Sequence, residues 1–307
     1  MIDQKLYEKM KHEIAGVASM HRKANKTVPT HGTRYTLPLN GREIEIILYK
    51  GGNENAPLVF ATFGGGFMMG GCALDDGMWT DLSTRFGWNI VSIGYRLAPD
   101  NVFPAAADDV YDSMCYVRDN QEQFGLNTSI YYVYGASAGG NLATVTAMRD
   151  AQKDRSISRQ FLFYPYIDLA TDPASKGHPE DELYSYYLFR DSYAPEEAVR
   201  NNPYVSPVIA DPNLLALMPE TIIVTAENDT LRREDEKYRD KLVQAGVTVH
   251  YLMCNEVEHG FIEHNYSLPA LPKEILENLP GHAAQLFASG KIGTAAGKAL
   301  DFISSWA

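Results

Sequence analysis

The chain is poor in the residue that staples small extracellular folds. It has three cysteines among 307 residues, Cys72, Cys115 and Cys254, odd in number and far apart. That spacing argues against a disulfide framework and a cysteine-based metal site, and it fits a reducing cytoplasm. No apolar run approaches the roughly 18 residues that a membrane helix needs. The first 26 residues mix Lys5, Lys9, Lys11, Arg22 and Lys23 with acids and have no continuous apolar core. Neither a signal peptide nor a membrane span is therefore expected. Positive charge is also short: 27 Lys and Arg against 39 Asp and Glu leave a net charge of -12. Such a balance disfavours nucleic acid or an anionic membrane as partner. Internal repeats and low-complexity linkers are absent.

What is present suffices for a buried core. Hydrophobic residues make up 45% of the chain and charged ones 21%, which excludes disorder and collagen-like repetition. Strand-like runs fall at 43–49, 58–63, 90–94, 130–134, 160–164, 221–226 and 247–253, several of them apolar on both faces. Helical spacing occupies 75–86, 105–123, 138–153, 231–245 and 293–306. This alternation predicts one α/β domain over residues 1–307, a mostly parallel central sheet flanked by helices with ligands at the carboxyl ends of its strands. Two segments break the pattern. Residues 2–20 place Ile2, Leu6, Met10, Ile14 and Val17 roughly along one helical face, while 173–212 is rich in Pro, Tyr and Asp without a clear period. They read either as a lid over the sheet edge or as a packing helix plus a surface excursion.

The most informative stretch runs from Tyr131 through Gly135-Ala136-Ser137-Ala138-Gly139. A β-branched and aromatic run enters it, a helical pattern leaves it, and a serine sits at the junction between small residues. This is the strand-to-helix elbow of a nucleophilic serine, in which a tight, strained turn projects Oγ into a cleft. The Ala138 amide at the start of the following helix can donate to a developing oxyanion. A serine N-cap in a glycine-rich turn is the plainer alternative. Upstream, Phe63-Gly64-Gly65-Gly66-Phe67 follows an apolar strand at the expected place of a second oxyanion loop. A phosphate loop is disfavoured because no Gly-Lys-Ser/Thr ending follows.

A serine hydroxyl needs a histidine to take its proton and a carboxylate to fix that histidine's tautomer. Asp229 falls in the loop after the strand 221–226, and His259 in the loop after 247–253. Glu227 or Asp235 could substitute for the acid, and His250 and His264 compete with His259.

Taken in order, these blocks resemble the hormone-sensitive lipase-like family of carboxylesterases, within the α/β-hydrolase fold, over about residues 58–261. Gly64-Gly65-Gly66 resembles the family's His-Gly-Gly-Gly loop. Tyr95-Arg96-Leu97-Ala98-Pro99-Asp100 with Phe103-Pro104-Ala105-Ala106 resembles the stretch after its next strand. Gly135 to Gly140 matches the elbow, and Asp229 with His259-Gly260-Phe261 matches the remaining positions. The resemblance implies Ser137 as nucleophile, His259 as general base and then acid, Asp229 as its orienting partner, and the Gly65, Gly66 and Ala138 amides as oxyanion hole. It also implies a cap built from residues 2–27 and 173–212, no metal or organic cofactor, and a homodimer as one option. Three departures stand out: Phe63 in place of the family's histidine, Ala136 in place of an Asp, and Thr230 in place of a Pro. The stretch from Asn265 to Ala288 is also longer than the family's connection requires.

The expected function is hydrolysis of small uncharged esters of short acyl chains, acetyl esters included, through an acyl-enzyme. Tyr184, Tyr186, Tyr187, Phe189 and Tyr193 offer either aromatic walls or packing. An amidase or formamidase on the same residues is one alternative. A small-molecule-binding protein on a hydrolase scaffold weakened at Phe63 is the other.

Overall fold

The β-branched and aromatic runs become strands β1 (Thr33–Leu39), β2 (Arg42–Lys50), β3 (Leu58–Thr62), β4 (Asn89–Gly94), β5 (Tyr131–Ala136), β6 (Ile157–Phe163), β7 (Glu220–Ala226) and β8 (Val249–Cys254). In this computed structural model, which describes residues 3–270 and 282–307, they form one eight-stranded sheet in the order β1-β2-β4-β3-β5-β6-β7-β8. The pairs at the β1 edge are antiparallel, and every pair from β4 to β8 is parallel. All residues of β3 and β5 are buried, as a sheet covered on both faces requires.

The helices are α1 (Gln4–Thr27), α2 (Asp76–Phe86), α3 (Ala105–Asp119), α4 (Ala138–Ala151), α5 (Glu180–Tyr193), the short α6 (Glu197–Arg200) and α7 (Pro212–Leu215), α8 (Arg232–Gln244), α9 (Phe261–Ser267), α10 (His282–Ala288) and α11 (Lys291–Ser304). No described helix is long and apolar enough to cross a membrane. The chain leaves β3 toward β4 on one side and returns to place β5 on the other. The carboxyl ends of β3 and β5 thus flank the point where the strand order reverses, where open α/β sheets leave a crevice.

Two elements escape the sequence pattern. β1 reads as polar, with Thr33, Arg34 and Thr36, and contains Pro38; it is an edge strand, where a proline is tolerated and only Leu37 and Leu39 need burial. Helix α5 lies in the stretch without a clear period because it is covered on more than one face. Tyr184, Tyr186, Tyr187, Leu188 and Tyr193 are all buried, so no single apolar stripe marks it. Helix α1 is longer than the 2–20 pattern: the Asp3 carboxylate caps it by accepting from the Lys5 and Leu6 amides, and it continues to Thr27. Ile2, and the 271–281 part of the long connection after Asn265, lie outside the described residues.

The Tyr95 to Ala106 block has a mechanical role beneath the crevice. The Tyr95 hydroxyl donates to the Phe63 carbonyl at 2.8 Å. Asp109, whose side chain is fully buried, accepts from Arg96 Nε at 2.8 Å and from Arg42 Nε at 2.6 Å, joining the loop after β4 to β2. Removing Asp109 takes away the shared acceptor of the two arginines, although Arg42 keeps its ion pair with Asp112 at 2.6 Å. Asp109→Ala is expected to lower unfolding free energy by about 1.5–3 kcal/mol in a urea titration, the loss of hydrogen bonds between charged groups.

Candidate active site

Ser137 ends β5 and begins α4 with φ 55° and ψ -124°, a left-handed conformation that L side chains rarely adopt. Close packing over-determines the turn. A Cβ at Gly139 would stand 2.2 Å from the Thr62 carbonyl oxygen at the end of β3. The Ser137 amide donates to the Phe163 carbonyl and its carbonyl accepts from Tyr166, both at 2.9 Å, pinning the turn to β6 and the segment after it. Ala138 is the first residue of α4, so its amide has no acceptor within the helix.

Asp229 and His259 converge on this serine from neighbouring loops after β7 and β8. The Ser137 hydroxyl lies 2.9 Å from His259 Nε2, and Asp229 Oδ2 lies 2.7 Å from Nδ1. With the Nδ1 proton donated to the carboxylate, Nε2 is left to accept from the serine. Asp229 Oδ1 accepts from the Leu231 amide at 2.8 Å, which fixes the carboxylate plane. Burial penalises the charged imidazole, but the Asp229 carboxylate, with smaller contributions from Glu263 and Glu182, outweighs it, and the pKa of His259 ends above its ordinary value.

None of the competing residues bonds the serine, although His264 stays in the cavity wall. Glu227 accepts from the Glu256 amide, and Asp235 is buried in α8 with its carboxyl pushed toward the neutral form by desolvation. His250 pairs with Glu220 and stacks on Trp306, while His264 follows one turn of α9 after Gly260.

A cavity of about 550 Å³ opens on Ser137 and His259, and Gly64, Gly65 and Gly66 line it. The Gly65 backbone has φ 116°, and its carbonyl accepts from the Met68 and Met69 amides, so the loop curls into a tight turn. A Cβ at Gly64 would lie 3.4 Å from Ser137 Cβ, which places this loop directly against the serine.

Residues 59–263 match a family described as the alpha/beta hydrolase fold. The arylesterase of Saccharolobus solfataricus is 31% identical over 213 residues, 68% of this chain and 69% of that protein. Ethyl acetate hydrolase of Pseudomonas putida is 30% identical over 238 residues, 73% of each chain. A viral relative is matched over 64% of its own length. The hyperthermophilic esterase of the archaeon Pyrobaculum calidifontis superposes with a TM-score of 0.73 at 30% identity, covering 94% of both chains. The chain belongs to the carboxylesterase family of the α/β-hydrolase fold.

Against that family, the three departures acquire physical content. Phe63 stacks on Tyr95 with ring centroids 4.2 Å apart, and the Tyr95 hydroxyl holds the Phe63 carbonyl. The loop of this carboxylesterase is thus braced by an aromatic pair where the family has a polar ring. Thr230 donates to the Tyr186 hydroxyl at 3.1 Å, tying the Asp229 loop to α5. Ala136 is buried at the end of β5, and nothing in the structure explains its choice over Asp.

Of the five aromatics proposed as walls, Phe189 lines the cavity, whereas the others pack. Tyr193 stacks on Phe67, Tyr186 on His178, the Tyr187 hydroxyl bonds Asp172, and Tyr184 accepts from the Asp3 amide. Sequence reasoning missed Asp75, Glu263 and His21 in the wall. Each comes from a different element and no local motif marks them. The Tyr164 hydroxyl, its ring against His259, donates to Glu263. In an NMR titration His259 should show a pKa above 6.5, and in Asp229→Asn, where burial is opposed only by the more distant Glu263 and Glu182 carboxylates, the value should fall from that of the parent.

Proposed function

We propose that this carboxylesterase hydrolyses small, uncharged esters of short acyl chains through an acyl-enzyme on Ser137. The unbroken hydrogen-bonded series from Asp229 through His259 to Ser137, opening on a cavity of small-molecule size, carries the reading. His259 Nε2 takes the serine proton as Oγ bonds to the ester carbon, and the carbonyl oxygen becomes an oxyanion facing the amides of Gly65, Gly66 and Ala138. The imidazolium, steadied by Asp229, passes that proton to the leaving alkoxide as the carbon–oxygen bond breaks. Water, deprotonated by the same nitrogen, then attacks the acyl-enzyme, and the returning proton restores Ser137. We place α1 and residues 173–212 as the cap of this site. Contact between α1 and α5 and the reach of Phe189 into the cavity support that assignment. The named activity of the Pseudomonas relative, on ethyl acetate, supports a short acyl group.

Substrate charge follows from the walls. Asp75 and Glu263 line the cavity, and no Lys or Arg stands among its described lining residues. Burial, with Glu263 adding to it, pushes the Asp75 carboxyl up to about 7. Above that pH the wall gains negative charge and repels an anionic substrate.

Ser137→Ala is expected to reduce turnover of p-nitrophenyl acetate by about 10⁴-fold or more; a variant within tenfold of the parent would sink the mechanism. For this neutral ester, kcat/KM should rise with pH through a pKa above 6.5, because only the neutral imidazole of His259 accepts the serine proton. A hemisuccinate ester should be turned over about tenfold less efficiently than its neutral counterpart, equivalent to about 1.4 kcal/mol. That gap should widen between pH 6 and 8 and stay flat in Asp75→Asn.

A further inference from the structure

The glycine loop is gripped from outside the hydrolase sheet. His21 Nδ1, on α1, accepts from the Gly70 amide at 3.0 Å. Four residues on, Asn25 Oδ1 accepts from the Ala73 amide at 2.9 Å. Residues four apart share one helix face, so a single face of α1 holds two backbone amides of the loop. Gly70 immediately follows the turn in which the Gly65 carbonyl accepts from Met68 and Met69, so a hold on Gly70 bears on Gly65.

The helix itself is anchored. Asn25 Nδ2 donates to Glu45 on β2 at 3.1 Å, and Arg34, on β1, bonds both Glu45 and the carbonyls of Asn25 and Val28 at the end of α1. From another direction Phe189 of α5 lies against Gly66, where an added Cβ would stand 2.3 Å from its ring. Phe63 contributes stacking to the loop and has no polar side-chain atom to offer it.

The geometry points to His21 as a positioning residue for the oxyanion hole: α1 supplies, from the N-terminal segment, the hydrogen-bonded restraint on the glycine loop that the side chain at 63 cannot make. The inference rests on the oxyanion role proposed for Gly65 and Gly66. Restraint of this kind acts on the oxyanion, which forms only in the transition state, and leaves ground-state binding nearly untouched. Burial lowers the pKa of His21, which keeps the ring neutral and Nδ1 able to accept.

The test compares His21→Leu, which keeps bulk without an acceptor, with His21→Asn, whose Oδ1 stands where Nδ1 stood. Complete loss of one oxyanion donor costs about 10²–10³-fold in kcat, and a displaced donor should cost part of that. His21→Leu should lower kcat on p-nitrophenyl acetate by about 10–100-fold with KM within about threefold. Its affinity for a phenylboronic acid, which forms a tetrahedral serine adduct, should fall by a similar factor. His21→Asn should recover most of both. A leucine variant with parental kcat, or asparagine and leucine variants equally impaired, would overturn the assignment. So would a leucine variant that loses its fold, since the contact would then be structural. Ser137→Ala assayed alongside separates the two readings: activity surviving there refutes the esterase mechanism, whereas a dead Ser137→Ala beside a fully active His21→Leu refutes only the role of His21.

Discussion

The site depends on one steric constraint, the approach of α4 to the end of β3. Gly139 has no side chain, so its Cα can pass against the Thr62 carbonyl, and Thr62 Oγ1 bonds the carbonyls of both Gly139 and Tyr134. That contact forces the chain between β5 and α4 to turn within one residue. Ser137 accepts a left-handed conformation costing on the order of 1–3 kcal/mol, offset by the surrounding packing. The strained turn carries Ser137 to the cavity wall and starts α4 at the very next residue, Ala138. It also brings the loop after β3 beside the loop after β5, because β3 and β5 are sheet neighbours.

Electrostatics then divides the crevice into regions of different character. Behind His259 the Asp229 carboxylate is excluded from solvent and held by the Leu231 amide, so the charge that burial would otherwise forbid on the imidazole is compensated. In the cavity wall, Asp75 has no such partner among the described residues and is driven toward its neutral form near pH 7. One carboxylate raises the pKa of a histidine, and the other has its own pKa raised by burial. The difference is the presence or absence of a donor rather than the residue type.

The parallel part of the sheet was legible in the sequence because buried strands there are apolar on both faces and separated by helical periods. The elbow was legible because it compresses strand, glycines and helix into nine residues. β1 was not, since an edge strand needs few apolar residues, and α5 was not, since a helix buried on several faces has no stripe. Phe63 looked like a loss of support when only position 63 was in view. Its compensation comes from Tyr95, 32 residues downstream, and from His21 and Asn25, 42 and 38 residues upstream, and no local pattern joins them.

Sequence by itself determined the chemistry available: a serine at a steric elbow, an acid and a histidine after successive strands, and a glycine loop after β3. Short-range sterics and hydrophobic periodicity are encoded over a few residues, so they can be read along the chain. Tertiary structure decided which of the competing acids and histidines meet the serine, which aromatic faces the cavity, and what braces the glycine loop. Those are contacts between residues tens to more than a hundred positions apart, and they exist only once the sheet order and the crossing of α1 over the loop are set.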